Sequence, residues 1–420
     1  MAAAVLAGIG CGGSHRALPP PCADGAVAPT AMATPAAREP LLGMLMQRDT
    51  SVILARLDPL SLEPISREIE LGEYHDAWSR SPDGTEVALG ISAPGESGRI
   101  GIVIVNPHEM RVVREIETGG AAEALAWFTP RLLAAGLVLD GIVLVDPRSG
   151  EVLRRWPSLS DPEASARIPA GLVMLFRGPA VTSSQGSVTA AARLAIVDAS
   201  GSLRSIPLER IQLRTRLTNG IFYADDAGLA VDPRRARAYV FAADAPVAEI
   251  DLRTMSVSYH RVEALFLRPG ELGGIEVRPE NVGARSRRAV WLGDGRALLF
   301  GRELVPSGAD NFETLAPGAI VVDTATWNSC TLDAKASGAD VVAERVVTYG
   351  PAGTGVQVFT IQGHKSFHLL DGEHVWSVGT AGDRAYVRAR GATYVIDVKS
   401  GEVLDKITPP RDFIDAVIER

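Results

Sequence analysis

The stretch DGIVLVDPRSGEVLRRW, residues 140–156, decides how the chain is read. It contains an apolar run to Asp146, a four-residue turn and a more polar run ending at Trp156. An apolar run without polar alternation suits a strand covered on both faces. Asp146 can accept hydrogen bonds from amides two residues on, and Pro147 presets φ for a turn. Gly150 supplies the positive φ that lets a short connection reverse direction. The unit is therefore an inner strand, a tight turn and a more solvated outer strand.

The same pattern recurs along the chain. Its copies are SVILARLDPLSLEPISREI with Asp58, IGIVIVNPHEMRVVREI with Asn106, the opening stretch with Asp146, and ARLAIVDASGSLRSI with Asp198. Then come APVAEIDLRTMSVSYHRV with Asp251, GAIVVDTATWNSCTL with Asp323, GVQVFTIQGHKSFHLL with Thr360 in place of the acid, and ATYVIDVKSGEVLDKI with Asp397. Successive anchors lie 48, 40, 52, 53, 72, 37 and 37 residues apart. Between copies runs a second strand-turn-strand unit, as in DAWSRSPDGTEVALGI, GLAVDPRRARAYVFAA and AVWLGDGRALLFG. Four short strands per repeat, with closely spaced turns, are the signature of a β-propeller blade. The longer intervals carry insertions into a blade period of about 40–50 residues.

The ends of this sequence fit one another. DFIDAVIER, residues 412–420, reads as an innermost strand, whereas PLLGMLMQRD, residues 40–49, begins on a second strand. Paired, they complete one blade and remove an open sheet edge. The expectation is an all-β fold, a single β-propeller of four-stranded blades over residues 40–420, with the ring closed by its terminal strands. Eight blades are counted; seven is the alternative, with the first copy peripheral.

Val395-Ile396-Asp397, Val145-Asp146, Val197-Asp198 and Val322-Asp323 each close a strand before a turn, and Ser81-Pro82-Asp83-Gly84 separates another pair. With these motifs, residues 40–420 resemble the YVTN-type and WD-repeat-like propellers of bacterial surface and periplasmic proteins. The resemblance implies architecture and not activity, because propellers host lyases, hydrolases, dehydrogenases and binding scaffolds alike.

Composition excludes some classes. A net charge of -8 opposes binding to nucleic-acid phosphates, which rests on clustered Lys and Arg. Residues 1–13 form too short an apolar segment for a membrane-spanning helix, which needs roughly 20 residues. A short apolar segment followed by Cys11-Gly12-Gly13-Ser14 and an Ala/Pro-rich stretch resembles the end of a bacterial lipoprotein signal and its tether. Residues 1–39 are thus expected to be a signal-like segment and disordered linker, with Cys11 lipidated and the propeller extracytoplasmic. A cytoplasmic protein with a disordered leader is the alternative. Cys22 and Cys330 remain as either a pair or two free thiols.

With strands named A to D from the axis outward, A-B and C-D turns lie on one face of a propeller, and B-C loops and D-A connections on the other. The stretches 177–191 and 303–318 read as long B-C loops, and 208–228 and 260–287 as long D-A loops. All fall on one face, which makes that face the expected binding surface. Its candidate ligand-binding residues are His75, Asp76, Arg214, Arg216, Tyr223, Asp225, Asp226, His260, Arg261, Glu271, Arg278 and Glu280. Tryptophans 78, 127, 291 and 376 lie on A strands and are expected to pack between blades.

No recognisable catalytic set accompanies these residues. H-E-x-x-H and G-x-S-x-G are absent, and His364 and His368 flank a strand, where four residues span about 13 Å, too far to share a metal. No catalytic residue, metal or cofactor is therefore assigned. The expected function is an extracytoplasmic, monomeric binding or scaffold propeller for a small molecule, glycan or protein, with contact to a membrane only through a lipid anchor. The alternatives are a hydrolase or lyase with a site at the axial mouth, and a protein-assembly platform.

Overall fold

In the computed structural model the described residues are 19–22, 40–46, 51–92, 100–138, 140–159, 161–182, 188–218, 221–265, 270–272, 275–277, 284–306, 312–350, 353–408 and 412–417. They form a succession of antiparallel sheets with a single short 3-10 turn at Glu263–Leu265. We number the sheets in chain order. Sheet I holds Asp412–Val417, Leu41–Met46, Val52–Leu57 and the start of the long strand Ile69–Arg80. The rest of that long strand opens sheet II, followed by Val87–Ser92, Ile100–Asn106 and Arg111–Glu117. Sheet III holds Ala122–Thr129, Leu132–Leu137, Gly141–Asp146 and Glu151–Trp156; sheet IV holds Pro162–Ile168, Gly171–Thr182, Val188–Asp198 and Leu203–Thr218. Sheet V holds Gly228–Asp232, Arg237–Phe241, Val247–Asp251 and Ser256–His260. Sheet VI holds Ala284–Gly293, Arg296–Pro306, Ala319–Asp323 and Ser329–Asp333. Sheet VII holds Gly338–Val342, Arg345–Tyr349, Val356–Thr360 and Lys365–Leu369, and sheet VIII holds Val375–Ala381, Arg384–Ala389, Ala392–Asp397 and Val403–Ile407.

The repeated turn works through its anchor side chain. Asp146 Oδ1 accepts from the Arg148 amide at 2.8 Å. Asp58, Asn106, Asp198, Asp251, Asp323 and Asp397 each accept from two turn amides, and Thr360 Oγ1 accepts from the His364 amide at 3.2 Å. Every copy then passes through a left-handed residue. Gly150, Gly201, Gly363 and Gly401 take that position in four copies, and Leu62, Met110, Met255 and Trp327 in the others. Met110 and Leu62 are buried, so the apolar side chain that adopts this costly conformation fills a gap in the core.

The cores lie between sheets rather than within them. Ala88, Ile102 and Ile104 of sheet II pack with Leu125, Trp127 and Val143 of sheet III. Equivalent apolar layers join I to II, III to IV, and so on to VIII. A further layer joins sheet VIII to sheet I, where Tyr386 and Val395 meet Leu41, Ile53, Ala55 and Leu57. Tyr386 is 1% exposed, and its hydroxyl donates to Pro59 O at 3.0 Å. The first strand of each sheet from II to VIII also touches the first strand of the next, and Val375–Ala381 of sheet VIII touches Asp412–Val417.

Some expectations change. Among the described residues, parts of the insertions pair as strands. Thr182 pairs with Val188 and Val181 with Thr189, so the 177–191 stretch extends two strands of sheet IV. Leu203–Thr218 likewise runs on and pairs with a fifth strand, Ile221–Ala224. Phe312–Leu315 pairs with the extended Arg296–Pro306, and Gly270–Leu272 with Ile275–Val277. Backbone groups in a long connection need partners, and pairing as a hairpin supplies them. His75 and Asp76 are not in a connection between strands. They lie inside the strand Ile69–Arg80, where the register shifts between Tyr74 and Trp78.

The tryptophans also divide. Trp78, Trp127 and Trp291 pack against the cores and lie late in their strands, whereas Trp376 is the second residue of its strand and 44% exposed. Within residues 1–39, the segment 19–22 lies along the outer strand of sheet VI. Cys22 is disulfide-bonded to Cys330, the Thr331 amide donates to Pro20 O at 2.8 Å, and Thr331 Oγ1 donates to Pro19 O at 2.7 Å. Cys11 lies outside the described residues.

Candidate functional site

The richest polar assembly forms where the chain enters the first strands of sheets IV to VI. Glu163, the second residue of Pro162–Ile168, lies beside Arg177 from the neighbouring strand of the same sheet. Arg177 holds three partners at once. Its Nε donates to Glu163 Oε1 at 2.9 Å, its Nη1 to Thr215 Oγ1 at 3.1 Å, and its Nη2 to Asp225 O at 2.7 Å. Asp225 is buried, and its Oδ2 accepts from Arg214 Nε at 3.2 Å. Its Oδ1 accepts from the Arg285 amide of sheet VI at 3.0 Å.

Arg285 completes the link. Its side chain is 2% exposed, lies 3.6 Å from Asp225 Oδ2 and pairs with Asp244 of sheet V. Asp226 is tied in through its backbone: its amide donates to Arg285 O at 3.1 Å, and its carbonyl accepts from the Arg287 amide at 3.0 Å. Its side chain is hydrogen-bonded to Glu163. Arg287 makes its own buried pair with Glu303.

Burial and the local charge balance together set the behaviour of Glu163. Three arginines, Arg177, Arg214 and Arg285, face three aspartates, Asp225, Asp226 and Asp244, leaving the Glu163 carboxyl in excess. Burial is the main cause that pushes Glu163 up to about 7; Arg177 opposes it, and the neighbouring Asp226 adds to it. Glu123 has the same place in the first strand of sheet III, and burial together with Asp161 raises it as well. A carboxyl that keeps its proton to about 7, as Glu163 does, can both donate and accept, and such groups concentrate at functional sites.

The structure brings together only part of the expected set. Arg214, Asp225 and Asp226 meet in this assembly, and Arg216 and Tyr223 are cross-strand partners in the adjoining hairpin. His260 lies elsewhere, on the outermost strand of sheet V, with Nε2 2.8 Å from Glu249 and its ring stacked on Trp327 at 3.9 Å. Arg261 pairs locally with exposed Glu263. Glu271 lies in the hairpin Gly270–Leu272, and Arg278 and Glu280 lie outside the described residues. Glu163, Arg177, Asp244 and Arg285 were absent from the expected set. Glu163 and Arg285 are charged residues near the start of first strands, in SDPEASARIP and ARSRRAVWLG, but neither segment shows in sequence that the two meet.

A cavity of about 300 Å³ opens on the opposite, tight-turn side between sheets II and III. It is lined by the Ser81–Glu86 turn, Trp127, Pro130, Pro147 and Arg148. Asp83 on its wall is engaged by its own turn, which lowers it to about 2 through hydrogen bonds from Ser81 and Thr85. Among the described residues no group of three His, Cys, Asp or Glu side chains is placed to hold a metal ion.

No protein-family model matches the chain, and no curated protein matches it. Solved structures do. The dihydro-heme d1 dehydrogenase NirN in complex with DHE is 17% identical, with a TM-score of 0.54 over 94% of this chain and 78% of that one. BamB from Moraxella catarrhalis is 12% identical with a TM-score of 0.40, covering 85% of this chain and 93% of that one. Sqt1 from Saccharomyces cerevisiae is 12% identical with a TM-score of 0.47, covering 79% and 84%. These neighbours are β-propellers of the WD40-like kind, and at such identities the NirN likeness speaks for the propeller fold alone.

Proposed function

We propose that the chain is an extracytoplasmic binding propeller of eight blades in a closed ring, and that its ligand occupies the mouth where the first strands begin. The observation that carries this reading is the Glu163–Arg177–Asp225–Arg285 assembly, drawn from sheets that are separate in sequence and converging on one end of their first strands. Buried ion pairs contribute little net stability, since desolvation offsets their attraction. Their concentration here is better explained by a preorganised polar surface than by folding alone. Arg177, Arg214 and Asp244 remain about one-quarter exposed and so can meet a ligand.

The Cys22–Cys330 disulfide supports an oxidising compartment, where such bonds persist. A second reading, a hydrolase or lyase, is favoured by one observation: a proton held on Glu163 near neutral pH suits a general acid. The test is differential scanning fluorimetry of the full chain with maltose, citrate, glutamate and spermidine. The expected result is stabilisation by at least one compound, lost in Arg214→Gln and kept in Arg148→Ala. Stabilisation lost instead in Arg148→Ala would move the site to the cavity between sheets II and III. No stabilisation by any compound would also overturn the proposal.

A further inference from the structure

We propose that the mouth takes an uncharged saccharide whose ring stacks on Trp376, a reading that rests on the binding function above and gives it a ligand class. Trp78, Trp127 and Trp291 pair across to Leu89, Leu133 and Ala297 near the ends of their first strands, and they pack in the cores between sheets. Trp376 departs from this pattern in position and surroundings. It is the second residue of its first strand, in the same place as Glu123, Glu163 and Arg285 in theirs. The register shifts between Val375 and Ser377, so Trp376 lies in a bulge. A bulge re-aims a side chain and is common beside binding sites.

The indole is exposed and held at once. Trp376 is 44% exposed, the Arg388 guanidinium lies over its ring 5.3 Å from the centroid, and the His374 ring meets it edge-on at 6.3 Å. Arg388 and its neighbours fix the plane of the ring while a large part of it faces water. An exposed indole kept in one orientation forms a rigid aromatic platform, which loses little conformational freedom when it binds.

The surrounding charge selects the ligand class. Arg388 lies over the ring, and the flanking segments carry Asp371, Glu373 and Arg390, so the sequence around Trp376 holds charges of both signs. Glu373 accepts the Tyr394 hydroxyl at 2.7 Å. A pyranose offers an apolar C–H face for stacking and a rim of hydroxyls that need both donors and acceptors. The segment around Trp376 supplies both, because the Arg388 guanidinium donates and the Glu373 carboxylate accepts.

The experiment is isothermal titration calorimetry of the full chain with maltoheptaose, cellohexaose and chitohexaose, with hemin as a planar, charged competitor. At least one oligosaccharide is expected to bind, with Trp376→Ala weakening it about tenfold or more and Trp376→Phe retaining most of the affinity. An unchanged melting temperature in both variants shows that the loss is local, as the exposure of Trp376 leads one to expect. Absence of binding to all three oligosaccharides, or equal binding by Trp376→Ala, overturns the proposal. So does hemin binding that depends on Trp376 without any saccharide binding. If saccharides fail while a compound in the fluorimetry panel still stabilises through Arg214, the saccharide assignment falls and the binding site at the mouth stands.

Discussion

Glu163 is the residue whose chemistry most sharply separates this site from a set of surface ion pairs. Its side chain is 12% exposed, it donates to Asp226 when protonated, and it accepts from Arg177. In the unfolded chain it ionises near the ordinary value of 4.5, whereas the folded chain holds the proton to about 7. The folded state therefore binds more protons over this window. The stabilising effect is complete below about 4.5 and is lost as pH rises through about 7. Its size is about 3 kcal/mol at most, since every tenfold gain in proton affinity on folding corresponds to about 1.4 kcal/mol. Glu163→Gln can donate to Asp226 and accept from Arg177 without titrating. Between pH 5 and 8 the variant is expected to lose this decline and to be the more stable protein at the upper end. Urea midpoints measured across that range check it; parallel profiles for the two proteins would show that Glu163 does not carry the proton.

At the scale of the element, the unit is a hairpin whose third strand ends in an acceptor and whose second strand begins opposite it. In sheets V, VI and VIII this cross-strand pair is Arg237 with Asp251, Arg296 with Asp323, and Arg384 with Asp397. Sheet VII places Thr360 opposite Arg345, and Arg345 Nε is buried without an acceptor. Thr360→Asp should let the anchor accept from two turn amides, as Asp397 does, raising stability by about 0.5–1 kcal/mol. A denaturant midpoint equal to or below the wild type would contradict that account. The same local chemistry explains why the blade was legible in the sequence: an Asx turn and its strands are contiguous, so each copy carries its own signature. The insertions were harder to read because hairpin extensions such as Thr182 with Val188 lack the Asp-Pro-Gly markers of the repeated turns. The site was legible only in part. Arg214, Asp225 and Asp226 lie near one another in sequence, whereas Glu163 and Arg285 reach them through the stacking of sheets IV to VI. Nothing local to residues 162–168 announces that contact, and a bulge that exposes Trp376 leaves no mark in composition.

For the whole molecule, stability rests on layers shared between neighbouring sheets, so no sheet has a complete core of its own. Sheet I depends on this most heavily, because its strands come from both ends of the sequence. Asp412–Val417 pairs antiparallel with Leu41–Met46, including Leu42 with Val417 and Met44 with Asp415. A peripheral first repeat, the seven-blade alternative, would make that pairing dispensable. A closed ring of eight would make it necessary, since removing it leaves LLGMLM as an open apolar edge and takes away the strand that touches Val375–Ala381 of sheet VIII. Deleting residues 409–420 is therefore expected to cost more than the about 4–5 kcal/mol that already marks an exceptional point mutation, and to promote association through the exposed edge. A synthetic peptide of those residues should restore the melting transition by adding the missing strand in trans. The measurement is calorimetry of the full chain, the truncated chain and the truncated chain with peptide. An unchanged transition after truncation would place Asp412–Val417 outside the cooperative structure and leave the seven-blade arrangement in its place.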